Sequence, residues 1–154
     1  MTDRTDPARD RSQAPEAPAA MARMETVLSA PEARTLRVAR YLFQSFARPA
    51  SHAWRQALAE AVHLPGGMAA LPPLCAAIEE MLVARGSALR FANPDCPGCA
   101  ARITPHERQF MACLRMVARG EMAAAERHAM LLCEANDSRA FLAGLTRIPG
   151  AATC

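Results

Sequence analysis

The residues best equipped for chemistry in this chain are two cysteines three positions apart, Cys96-Pro97-Gly98-Cys99. Proline and glycine between them favour a tight turn, which brings the two thiols close enough to hold one metal ion or to close one disulfide. A redox dithiol of the thioredoxin kind sits at a strand-to-helix junction inside a βαβ unit. Here the surrounding sequence is helical, and the pair stands just before a helix start, so metal ligation is the stronger expectation. A tetrahedral zinc site needs two more donors. If the helical runs on either side of Gly120 fold back antiparallel, residues whose numbers sum to about 240 face each other. His106 then lies opposite Cys133, at the end of the hairpin where the thiol loop arrives. Cys96, Cys99, His106 and Cys133 are therefore expected to form a structural zinc site.

The other candidates read as structural. Cys75 and Cys113 sit on apolar helix faces, where free cysteine packs as a small hydrophobe. His128 precedes Cys133 by five residues, about 140° round a helix, a poor angle for sharing an ion. His52 and His63 lie near opposite ends of one helix. Glu79 and Glu80 are adjacent, so they diverge by about 100° and cannot cooperate as an acid pair. No nucleophile elbow, phosphate-binding glycine loop or paired histidines on one helical turn occur. Nothing in the sequence argues for catalysis.

The elements that must position the thiols are helical. Of 154 residues 51% are hydrophobic, yet 35 of them are alanine and only seven are aromatic. An excess of Ala, Leu and Met over β-branched residues favours helices and disfavours sheet. No run of 18 apolar residues is evident, which argues against a membrane span. The formal charge is +3, and all 18 basic residues are arginine. Without a secretory leader at the N-terminus, the six cysteines are expected to be reduced and the chain cytoplasmic.

Three units follow. Residues 1–28 carry prolines among Asp, Arg, Ser and Ala and are expected to be a disordered or partly helical tail. Residues 29–148 read as one all-α domain, an irregular bundle of five to six short helices with a C-terminal antiparallel helical hairpin. Residues 149–154 read as a frayed end. Ser29-Ala30-Pro31-Glu32 and Thr104-Pro105-His106-Glu107 are capping boxes with proline in the first turn, both strong helix starts. The first helix carries Leu36, Ala39, Leu42, Phe43 and Phe46. A second carries Trp54, Ala57, Leu58, Ala61 and Val62. A third, from about Pro72, carries Leu74, Cys75, Ile78, Met81 and Leu82, with Gly86 as a left-handed cap. A fourth bears Phe110, Leu114 and Val117, a fifth runs from Glu121 to about Glu134, and a short sixth bears Phe141, Leu142 and Leu145. No internal repeat is evident.

Ile103-Thr104-Pro105-His106-Glu107-Arg108-Gln109, followed by Val117-Ala118-Arg119-Gly120, resembles the opening of a LuxR-type helix-turn-helix domain. That resemblance implies DNA binding through a recognition helix in the major groove. The sequence departs from the pattern after Gly120, where the short second and third elements are missing. The leading expectation is a small cytoplasmic regulatory or adaptor protein that binds a protein partner or a second copy, with zinc at the thiol loop. A divergent DNA-binding regulator is the alternative.

Overall fold

A computed structural model describes residues 22–150. The fold is all-α: eight helices and no strand occur among the described residues. They are α1 (Met24–Val27), α2 (Ala30–Ala47), α3 (Trp54–Ala61), α4 (Leu71–Ala84), α5 (Pro97–Ala100), α6 (Pro105–Ala118), α7 (Met122–Leu132) and α8 (Arg139–Thr146). Six of these are the expected helices; α1 and α5 are single turns. The expected tail, residues 1–28, is ordered in its last part. The carbonyl of Ala22 accepts from Ile103 N–H at 3.1 Å and Met24 N–H donates to the Ala101 carbonyl at 2.9 Å, so this segment pairs with the stretch after the thiol loop. The rest of that tail, and residues 151–154 of the expected frayed end, lie outside the described residues.

Both capping boxes form. Ser29 Oγ accepts from Glu32 N–H at 3.4 Å while the Glu32 carboxylate accepts from Ser29 N–H at 2.7 Å. Thr104 and Glu107 do the same at 3.2 and 2.7 Å. Each capping glutamate has a second role. Arg40 of α2 donates to both oxygens of Glu107, at 2.7 and 3.1 Å, and Arg115 of α6 donates to Glu32 at 2.7 Å. The two pairs run α2 and α6 antiparallel. They also expose a repeat hidden in the sequence, offset by 75 positions: Leu28/Ile103, Ser29/Thr104, Glu32/Glu107, Leu36/Met111, Val38/Cys113 and Arg40/Arg115. The matched apolar positions are all buried. Only Glu32/Glu107 and Arg40/Arg115 are identical and the other four pairs are substitutions of similar type, which is why no repeat is visible by eye.

The core is carried by Leu36, Phe43, Ile78, Met81, Phe110 and Phe141. Phe110 meets Phe43 edge-on at 5.4 Å and stacks on Phe141 at 6.2 Å, linking α2, α6 and α8. Alanine lets helices approach closely elsewhere. A Cβ added to Gly144 of α8 would lie 2.8 Å from Ala77 Cβ of α4 and 2.9 Å from its Cα, so these two helices touch nearly backbone to backbone.

Ser51, expected to cap the second helix, lies instead in a 3₁₀ turn ahead of Ala53, and the end of α4 also differs from its expected cap. Gly86 does not adopt the left-handed conformation; α4 stops at Arg85, whose backbone is extended. The buried Arg85 guanidinium instead donates to the Leu132 carbonyl, to Ser87 and to Glu134. Glu134 in turn accepts from Gly86 N–H at 2.9 Å and Ser87 N–H at 3.1 Å. This node ends α7 two residues earlier than expected. It also holds Glu134 and Ala135 in the left-handed region (φ 57° and 62°), where glycine is usual. By contrast Gly120 (φ 72°) ends α6 as expected, with Glu121 N–H closing on the Met116 carbonyl at 2.9 Å.

Residues 67–84, a 3₁₀ turn running into α4, form one helical stretch apolar enough by length and composition to cross a membrane (mean hydropathy 1.4), contrary to the expectation that none exists. In the fold it packs Leu74, Ala77, Ile78 and Met81 into the core and carries Glu79 and Glu80 outward.

Replacing Arg40 with Met strands the Glu107 carboxylate and is expected to cost about 3–5 kcal/mol in urea denaturation. Arg115→Met, on the half-exposed copy of the same pair, should cost about 1 kcal/mol or less; equal losses would show that burial does not set the difference. Gly144→Ala should cost about 1–3 kcal/mol, since the new methyl meets α4 backbone.

Candidate functional site

The thiol loop is built from both sides. Ahead of it, Asn93 turns the chain: its carbonyl accepts from Cys96 N–H at 3.3 Å and its side chain from Asp95 N–H at 3.0 Å. Gln44 of α2 donates to Asp95 at 3.2 Å. Behind it, Arg40 reaches across from α2 and donates to the carbonyls of Ala100 at 2.7 Å and Arg102 at 2.5 Å. The extended stretch before the loop is pinned to the start of α6 in three places. Arg90 N–H donates to His106 Nδ1 at 2.9 Å, Thr104 Oγ1 donates to the Arg90 carbonyl at 2.9 Å, and Ala92 N–H donates to Glu107 at 3.0 Å.

Cys96 is the N-cap of α5, and its sulfur accepts from Cys99 N–H at 3.4 Å. Hydrogen bonds from the Cys99 thiol and then its N–H hold the Cys96 thiol below the usual range. The same thiol–thiol bond raises that of Cys99. Cys99 is exposed and Cys96 half-buried. They line a cavity of about 500 Å³ with Phe91, Gly98, Arg102 and Thr104.

The structure brings Cys96 and Cys99 together but does not gather the four expected zinc ligands. Among the described residues no group of three His, Cys, Asp or Glu converges as a metal site. His106 spends the lone pair of Nδ1 on Arg90 N–H, so in the neutral ring the proton sits on Nε2 and neither nitrogen keeps a free lone pair for a metal. Cys133 is wholly buried, and burial pushes its thiol up. The hairpin itself forms, with a tighter register than expected. Gln109 Oε1 meets His128 Nδ1 at 2.7 Å and Cys113 Sγ donates to the Ala125 carbonyl at 3.7 Å, two to three positions short of the register centred on Gly120. Gly120 is the middle of the three residues that join α6 to α7, so the shift arises in how the two helices pack rather than in where the chain turns. His52 and His63 are exposed, and Cys75 is half-buried on α4.

Sequence reasoning missed Arg40, the residue that anchors the loop. A signal was present: Leu36, Arg40 and Phe43 share one helical stripe, so an arginine stands where an apolar residue belongs. It also missed which face of α3 turns inward. Ala53, Ala57 and Ala61 are buried, whereas Trp54, Leu58 and Val62, one turn apart along the helix, are 49%, 44% and 56% exposed. Arg55 lies over the Trp54 ring at 5.5 Å.

The segment resembling a helix-turn-helix opening forms α6, and α7 folds back along it as the second arm of a hairpin. A recognition helix would instead cross its predecessor at a steep angle after a short turn. No protein-family model matches the chain, and neither a curated protein nor a solved structure shows significant similarity to it.

Burial, then the nearby Arg85 and Arg90, lower the affinity of His106 for a proton. Above the ordinary histidine pKa of about 6.5 both folded and unfolded chains hold it neutral. As pH falls, the unfolded chain takes the proton first, so stability present at neutral pH is lost. Urea midpoints compared at pH 7.5 and 5.5 should fall less in His106→Gln than in wild type. An identical fall in both would remove His106 from the pH dependence.

Proposed function

We propose that this chain is a small helical regulatory or adaptor module of the cytoplasm that works by protein contact, and that α3 is its contact face. The observation that carries the reading is the inverted amphipathicity of α3: small alanines face the core while Trp54, Leu58 and Val62 face outward. Large apolar side chains at helical spacing are the anchors by which one helix reads another, and an exposed tryptophan is the residue type most enriched at binding hot spots. Five cysteines among the described residues are free thiols, which suits a reducing compartment. Zinc does not enter this reading, because His106 has no lone pair to offer and Cys133 belongs to the core.

The partner we assign to this face is a second copy. About a two-fold axis through Leu58, antiparallel pairing sets Trp54 of one copy against Val62 of the other, a large side chain against a small one. The eight-residue helix is about 12 Å long, so the contact is small and association is expected in the tens of micromolar rather than nanomolar.

Sedimentation equilibrium should show a reversible dimer whose population rises over that range. Leu58→Glu should leave the thermal unfolding midpoint within a few degrees of wild type and abolish the dimer, since a buried unpaired carboxylate faces its own copy on the axis. A chain that stays monomeric at several hundred micromolar, or a Leu58→Glu variant that still dimerises, overturns self-pairing through α3.

A further inference from the structure

We infer that the Cys96–Cys99 loop is a dithiol exchange site that reduces small anionic peptide disulfides, of which glutathione disulfide is the simplest representative. This site is separate from α3 and rests on different observations.

Two thiols are insufficient for a tetrahedral metal site, and no third ligand joins them among the described residues. Two thiols are sufficient for a disulfide. Cys96 and Cys99 stand one helical turn apart, with the backbone N–H of Cys99 on the Cys96 sulfur at 3.4 Å, within reach of a bridge after a small rotation about the side-chain bonds. The loop is held from behind by Arg40 on the Ala100 and Arg102 carbonyls and from ahead by Asn93. The thiols can therefore react without the fold giving way.

The front of the loop is open. A Cβ built on Gly98 meets nothing within 4 Å, so the turn between the two thiols faces open space, and Cys99 is exposed. The cavity before them offers Phe91 as an apolar wall and Arg102, exposed, as a cation. A disulfide flanked by peptide carboxylates matches that lining: an apolar S–S unit with anionic arms. Among the described residues Cys113 and Cys133 are wholly buried, and Cys75, half-buried on α4, has its thiol pushed up by burial and then by Glu79.

In the exchange, Cys96 as thiolate attacks one sulfur of the disulfide. The S–S bond breaks, one thiolate leaves and takes a proton from solvent, and Cys96 holds the other half as a mixed disulfide. Cys99 gives up its proton to solvent and attacks the Cys96 sulfur. The mixed bond breaks, the second thiolate leaves and is protonated, and a Cys96–Cys99 bridge remains. The protein loses two electrons, and one disulfide becomes two thiols.

The full-length reduced chain is mixed with glutathione disulfide, quenched in acid at intervals and mapped by peptide mass spectrometry. Wild type should form the Cys96–Cys99 bridge without accumulating an adduct. Cys99→Ser should accumulate a glutathione adduct at Cys96, and Cys96→Ser should lose the fast reaction, by on the order of tenfold or more. Arg102→Glu, which leaves the carbonyl that Arg40 holds, should slow reaction with glutathione disulfide several-fold more than reaction with uncharged 2-hydroxyethyl disulfide. An adduct on Cys99 in wild type, an unchanged rate in Cys96→Ser, or stoichiometric zinc that protects both thiols would overturn the site. Equal slowing toward both disulfides in Arg102→Glu would overturn the anionic class of substrate.

Discussion

One buried guanidinium organises this molecule. Arg40 is almost wholly buried, and so is its partner Glu107. Moving either charge out of water alone would cost several kcal/mol, so each must be fully satisfied where it sits. Arg40 meets that demand with two carboxylate oxygens and the carbonyls of Ala100 and Arg102. Glu107 meets it with Arg40, Thr104 N–H and Ala92 N–H. Satisfying one ion pair thus fixes α2 against α6, the stretch before the thiol loop against the start of α6, and the end of the loop against the core. A region poor in large side chains is held by polar contacts instead of by apolar mass.

The same device appears twice at different depths. Glu32 and Arg115 repeat the geometry at the other end of the α2–α6 pair, with Arg115 part-exposed. There burial raises the carboxyl of Glu32, and the contacts with Arg115 and Ser29 outweigh it, so the group ends below its usual range. Each helix therefore uses its capping glutamate both to close its own first turn and to receive an arginine from its neighbour. The two helices start at opposite ends and lock each other in register.

Much of the fold was legible because the helix starts are written in short code. Ser29-x-x-Glu32 and Thr104-x-x-Glu107 need only local chemistry, and both form. The all-α class followed from composition. What was not legible depended on contacts distant in sequence. The left-handed cap expected at Gly86 gave way to Arg85 reaching the end of α7, a contact nearly fifty residues away. On α3 periodicity could not choose between two adjacent stripes, Ala53-Ala57-Ala61 and Trp54-Leu58-Val62, because both repeat every four residues and differ by one position. The sequence groups residues of both stripes, Trp54, Ala57, Leu58, Ala61 and Val62, and in the fold only the alanines turn inward. Of the four expected ligands only the adjacent pair was legible. His106 and Cys133 were placed by a hairpin register that shifted by two to three residues, and the ring of His106 was claimed by a backbone N–H that no spacing rule reveals.

Arginine at Arg40 and Arg85 does what lysine could not, since a planar fork can serve several acceptors lying in different directions. The whole chain follows that preference: its 154 residues contain no lysine. Side-chain amines, the usual sites of acylation and of isopeptide attachment, are therefore missing from its surface. Guanidinium groups stay protonated and poor as nucleophiles. The strongest nucleophile that this sequence leaves exposed among the described residues is sulfur, at one loop. Among the described residues, a framework chosen for its hydrogen-bonding geometry thereby makes the surface chemoselective: electrophiles that would scatter over the lysines of an ordinary protein meet an exposed thiol at one loop.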